Sequence, residues 1–89
     1  AENYDERRLV ITCGALLSRE QCRELFDDLC TRKEIEKMAE RLYAARLLMA
    51  GNTYSQVIAQ SEISSATLSR VSRCVQYGKG YSRVLKEDI

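Results

Sequence analysis

The chain has 89 residues, with 14 Lys and Arg against 13 Asp and Glu, no His, no Pro, four Gly and four Cys. That length suits one domain, which buries only about two-thirds of its unfolded surface, so a partner chain is expected. With no His and no Cys-x-x-Cys pair, the usual zinc sites are excluded, and no signal peptide or apolar run of about 18 residues points to secretion or membrane insertion. A cytoplasmic protein with Cys13, Cys22, Cys30 and Cys74 reduced and buried is expected. The abundance of Leu, Ala, Arg, Glu and Lys favours helices over strands.

Residues 3–17 read as a first helix, with Leu9, Val10, Cys13, Leu16 and Leu17 at helical spacing and charges at Asp5 to Arg8. Ser18 and Gln21 form a capping box that opens a second helix, whose apolar stripe is Cys22, Leu25, Phe26 and Leu29. Thr31 and Glu34 form another, opening a long helix to about Ala50 with Gly51 as its stop. Ile35, Met38, Leu42, Ala45 and Met49 share one of its faces. From Leu42 to Ala50 this helix is apolar almost all round, interrupted by Arg46. A surface helix needs only one apolar stripe, so a core shared with a second copy is expected.

Thr53 caps a short fourth helix from Tyr54 to about Ser61. Ser64 or Ser65 caps a fifth, running to about Tyr77, with Gly78 and Gly80 ending it. Tyr81 to Lys86 reads as a last short helix. The division is thus a helical dimerisation core over residues 1–51, a helix-turn-helix over 53–77 and a short C-terminal helix over 78–89, all within one domain.

Charge divides unevenly along the chain. Residues 1–51 hold nine basic and ten acidic side chains, whereas residues 52–89 hold five basic and three acidic. From Ile63 to Lys86 every charge is positive. In the helix-turn-helix, Val57, Ile58 and Ile63 are expected to face inward, with Ser64, Leu68, Val71 and Val75 on one face of the fifth helix. Its opposite face carries Ala66, Arg70, Arg73 and Tyr77, flanked by Ser69. A helix that enters the major groove needs small residues at its N-terminal end, then donors for bases and phosphates. Ser64, Ser65, Ala66 and Thr67 supply the first, and the helix N-terminus itself favours phosphate. The candidate DNA contacts are therefore Gln56, Ser64, Ser65, Ala66, Thr67, Ser69, Arg70, Arg73 and Lys79. The plainer alternative is a solvated amphipathic helix whose Ser residues only cap.

The string Tyr54-Ser55-Gln56-Val57-Ile58-Ala59-Gln60-Ser61, followed by Ser64-Ser65-Ala66-Thr67-Leu68-Ser69-Arg70-Val71, resembles the helix-turn-helix of the tryptophan repressor family, especially its tryptophan-repressor-related bacterial members. Leu29 to Ile35, Arg41 to Gly51 and Arg73 to Gly78 look like that family too, so the resemblance covers roughly residues 20–86. It implies an all-helical, intertwined homodimer of about six helices per chain, with two reading heads set for successive major grooves. Its operator would be near-palindromic, with half-sites about one helical turn apart. Glu62 departs from the pattern, since Gly is common there to allow a left-handed turn. Ile58 stands where Ala is common.

In that family the ligand contacts match Thr31, Arg41 and Arg70 here, and two arginines suit an indole and a carboxylate. Each has a plainer reading: Thr31 as a cap, Arg41 paired with Glu34, Glu36 or Glu40, and Arg70 on phosphate. Val71 stands where the repressor has Gly against the ring, and Cys74 replaces a hydroxyl. Tryptophan sensing therefore does not come with the resemblance. A different small corepressor at Thr31, Arg41, Arg70 and Cys74, or no cofactor at all, is expected.

An enzyme is disfavoured. No cysteine has an evident base beside it, and Glu20, Glu24, Asp27 and Asp28 read as a solvated helix face. The expectation is a dimeric transcriptional regulator, a repressor, whose partners are duplex DNA and its own second copy, with no membrane. The alternative is a protein-interaction module that keeps the helix-turn-helix as scaffold.

Overall fold

The computed structural model describes residues 5–85, and these contain six helices and no strand: α1 (Glu6–Gly14), α2 (Arg19–Leu29), α3 (Arg32–Met49), α4 (Tyr54–Gln60), α5 (Ser65–Tyr77) and α6 (Gly80–Leu85). They fall into two compact units, one up to Ile35 and one from Glu36 onward.

In the first unit, α1 starts at an Asp5 cap, whose carboxylate accepts from the amides of Arg7 (3.0 Å) and Arg8 (3.3 Å). The predicted residues 3 and 4 of this helix lie outside the described residues. At the other end, α1 stops at Gly14 rather than at residue 17. The cause is the next helix. Ser18 must be extended to act as its N-cap (φ −150°, ψ 163°), and the Leu17 amide already donates to Gln21 Oε1 at 2.7 Å. The Gln21 arm of the predicted capping box therefore reaches the Leu17 amide, not that of Ser18. The Ser18 arm holds as expected, its hydroxyl accepting from the Gln21 amide at 3.1 Å.

α3 opens with a complete box. The Thr31 amide donates to Glu34 Oε1 (2.7 Å), and the Glu34 amide donates to Thr31 Oγ1 (3.1 Å). The Glu34 carboxyl is held below the ordinary carboxylate range, chiefly by the Thr31 backbone N–H and then by the Thr31 side chain, both of which favour its ionised form.

No residue of α1 or α2 is buried. Leu9, Val10, Ile11 and Leu29 are about half exposed or more, and Leu17 is 87% exposed. Full burial of such a side chain is worth roughly 1.5–3 kcal/mol, so each half-exposed one forgoes about half of that and Leu17 most of it. The expected burial of the cysteines is not met either: Cys13, Cys22 and Cys30 are half-buried and Cys74 is exposed. Cys13 and Cys22 sit on α1 and α2, which bury no residue, and Cys74 lies on α5 beside its buried stripe rather than in it.

The second unit holds the core. Ala44, Ala45, Val57, Ile63, Leu68, Val71 and Leu85 are buried together, with Leu47, Leu48, Met49, Val75 and Tyr81 packed around them. Ala44 and Ala45 of α3 are fully buried, while Leu42 and Tyr43, on the same apolar stretch, remain nearly half exposed. The end of α3 is a Schellman stop. The Gly51 amide donates to Leu48 O and the Asn52 amide to Leu47 O, both at 3.0 Å, with Gly51 at φ +99°. A side chain at that φ would be strained, which explains the glycine.

After α5, Gly78 lies so close to the preceding turn that a Cβ there would sit 2.7 Å from the Cys74 carbonyl oxygen. Gly80 does not help end α5, as the sequence reading had it; it is the first residue of α6. α6 ends in the described residues at Leu85, and the predicted Lys86 lies outside them.

Candidate nucleic-acid interface

The segment from Asn52 to Tyr77 builds a two-helix head from local signals. Thr53 caps α4 through a full box: its hydroxyl accepts from the Gln56 amide (3.2 Å), and Gln56 Oε1 accepts from the Thr53 amide (2.8 Å). Gln56, a predicted DNA contact, thus has its carbonyl oxygen committed to the cap, and any contact with DNA falls to its Nε2. Of the two apolar residues expected inward from α4, only Val57 is buried; Ile58 is 43% exposed. Adjacent helical positions lie about 100° apart, so a seven-residue helix cannot centre both on one core.

The turn uses no left-handed residue. No non-glycine among the described residues has positive φ, so Glu62 is unstrained there. Ser61 is extended (φ −140°, ψ 172°) and its hydroxyl donates back to Val57 O at 2.8 Å. Ile63, as expected, anchors the turn in the core. Ser64 then caps α5, accepting from the Thr67 amide (3.2 Å) and donating to Thr67 Oγ1 (3.0 Å). Ser64 and Thr67 are therefore tied to each other at the helix start, whereas Ser65 and Ala66 stand exposed beside them.

Along α5, Leu68, Val71 and Ser72 are buried and Val75 is half-buried. Ser72 was missed in the sequence because it is polar. Yet positions 68, 71, 72 and 75 are one stripe, and its hydroxyl lies 3.4 Å from the donating Gln76 Nε2. The opposite stripe of Ala66, Ser69, Arg70, Arg73 and Tyr77 is exposed throughout, so no other described part of the chain covers it. α5 contains no acidic residue, and Arg70 and Arg73 make no hydrogen bond or ion pair among the described residues. Lys79 is exposed in the link to α6, where its carbonyl accepts from the Arg83 amide at 3.0 Å.

The positions matched to an effector differ in exposure. Thr31 is exposed and committed to the α3 capping box, Arg41 is half-buried on α3, and Arg70 is exposed on α5. Cys74 alone lines the apolar cavity of about 440 Å³ that Leu42, Tyr81, Val84 and Leu85 help to form. Val71 points into the core at 1% exposure. No group of three or more metal-ligating side chains exists among the described residues, and none of their helices is long and apolar enough to cross a membrane.

Comparison with known proteins decides the family, since the profile of the Trp repressor protein family matches residues 6–89. The chain belongs to the Trp repressor family. It is 38% identical to a Staphylococcus aureus protein whose crystal structure is described provisionally as a Trp repressor, with a TM-score of 0.82 over 91% of this chain and 82% of that one. It is also 48% identical over 64 residues to the uncharacterized protein YerC of Bacillus subtilis (strain 168), a match that takes in 72% of this chain and 62% of YerC. The chain thus spans under two-thirds of that curated relative's length. The all-helical Trp repressor-like fold agrees with the expected fold class, and family and fold are those of a DNA-binding transcriptional regulator.

Proposed function

We propose that this protein is a sequence-specific repressor that binds a near-palindromic operator as a homodimer in the cytoplasm. The observation that carries the reading is the uncovered, acid-free stripe of α5, with Arg70 and Arg73 below a capped N-terminal end of small residues. Ser65, Ala66 and Ser69 would face base edges, and Arg70, Arg73 and Lys79 would meet bases or phosphates. Ser64 and Thr67 would act mainly by fixing the helix start, and Gln56 by its amide nitrogen. The homodimer is supported by the apolar side chains that one chain leaves exposed, including Leu9, Val10, Ile11, Leu17 and Leu42. Thr31, Arg41, Arg70 and Cys74 remain the positions a small corepressor would meet, if one is used.

Selection of bound sequences from random duplex DNA, with and without an amino-acid mixture, tests the proposal. A palindromic site, with affinity falling steeply as salt rises, is the expected result. Binding that is indifferent to sequence and salt refutes it, and a monomer in sedimentation at micromolar concentration refutes the homodimer. The alternative of a protein-interaction module draws on Tyr77, which is apolar, 80% exposed and part of the same stripe. A pull-down that returns one stoichiometric protein and no nucleic acid would favour it.

A further inference from the structure

Asn52 joins the end of α3 to α4 through its side chain. Asn52 Nδ2 donates to Leu47 O at 2.9 Å, the same carbonyl that receives the Asn52 amide at 3.0 Å. Its other side-chain atom, Oδ1, accepts from Gln60 Nε2 at 3.3 Å. Gln60 Nε2 also donates to Gln56 O at 3.2 Å, so its side chain lies along α4 and reaches the residue that precedes the helix cap. One half-buried amide therefore holds a carbonyl of α3 on one side and the last residue of α4 on the other. The main-chain path between the two helices is only Ala50 to Thr53, and backbone hydrogen bonds alone fix its first half.

We propose that Asn52 and Gln60 are positioning residues that set the angle of the reading head against the C-terminal half of α3. The inference rests on the DNA-binding reading for its functional consequence, but not for its geometry. Asn suits the place because it offers a donor to Leu47 O and an acceptor to Gln60 at once. Asp would keep only the acceptor, and Ala neither. Neither residue belongs to the exposed stripe of α5, so their effect on DNA passes through orientation. A misaligned head must be realigned on binding, and that cost appears as lost affinity with the contacts themselves intact.

The test uses the full chain and the variants Q60L, N52A and N52D. Q60L cuts the α4 arm and leaves the α3 stop whole. Residual dipolar couplings of backbone amides report the angle of α4 and α5 against residues 36–49. Q60L and N52A should change that angle, or broaden its distribution, with helix content unchanged. On the selected operator they should weaken binding by about 3- to 10-fold, the range of one or two modest hydrogen bonds. The salt slope should stay that of the unaltered protein, because no phosphate contact is lost. N52D should fall between. Unchanged couplings in both Q60L and N52A overturn the proposal, whatever the DNA result. Altered couplings with unaltered operator affinity overturn its functional half. If the unaltered protein selects no DNA, the DNA reading fails, and the couplings still decide the geometry.

Discussion

Replacing Val71 measures how firmly α5 is built into the core. Its side chain is 1% exposed and belongs to the same cluster as Val57, Ile63 and Leu68. Val71→Ala removes two methyl groups, which at about 0.8 kcal/mol each, with the cavity left behind, costs about 2–3 kcal/mol. Val71→Gly adds the poor helix propensity of glycine, about 1 kcal/mol, for a total of about 3–4 kcal/mol. At this chain length each kcal/mol moves the melting midpoint by roughly 4–8 °C, so Val71→Gly should lower Tm by more than about 10 °C. Urea and thermal unfolding should be run at one protein concentration, because self-association makes both midpoints concentration-dependent. A Val71→Gly variant within about 1 kcal/mol of the unaltered protein would refute the placement. The same variant bears on ligand sensing. If position 71 serves the core first, opening it costs stability before it offers a ring any space.

Replacing Arg70 and Arg73 together with Ala should weaken operator binding and flatten its salt dependence by about one unit of slope per lost phosphate contact, with Tm nearly unchanged; fluorescence anisotropy over a salt series measures it. Gly78→Ala should destabilise the protein by about 1–3 kcal/mol, since the new Cβ meets the Cys74 carbonyl, whereas Gly80→Ala has open space and should be neutral or mildly stabilising; paired urea titrations compare them. Glu34 titrates below the ordinary carboxylate range because the Thr31 amide, then the Thr31 hydroxyl, favours its ionised form. With the folded pKa lowered, its stabilisation is present above the ordinary carboxylate range and is lost as pH falls through the folded value. The start of α3 should therefore loosen on acidification, with the Thr31 amide resonance following the Glu34 carboxyl in an NMR titration, and Glu34→Gln should abolish that dependence.

The starts of α2 to α5 were legible because each announces itself within four residues, whereas the Asp5 cap of α1 and the start of α6 at Gly80 were not read. Ser18, Thr31 and Thr53 cap the helices they were read to open, and Ser64 proves to be the cap of α5 where Ser64 and Ser65 were both open. What depends on the third dimension was less so. Periodicity could not choose between Val57 and Ile58, since a short helix has too few positions to define its buried face. Counting apolar residues passed over Ser72, although it lies inside the buried stripe of α5. The cysteines read as buried because their neighbours are apolar, but α1 and α2 bury no residue, and Cys74 lies outside the buried stripe of α5. Asn52 and Gln60 left little trace, being eight residues apart and polar, though an Asn directly after a helix-stopping Gly was a signal available to be read. The exposed stripe of α5 was legible as a face, and Ser64 as a possible cap; the ties of Thr67 to Ser64 and of Gln56 to Thr53 depend on side-chain geometry that spacing alone does not give.

The turn between α4 and α5 has a consequence for how such proteins are found and altered. Its backbone stays in conformations open to any L-residue, and the described chain concentrates its one left-handed corner at Gly51, outside the head. A search pattern that demands glycine at the turn would pass this protein over. For the same reason position 62 should accept broad substitution without backbone strain, making it a handle for attaching a label or tuning charge beside the head, whereas position 51 should tolerate almost nothing.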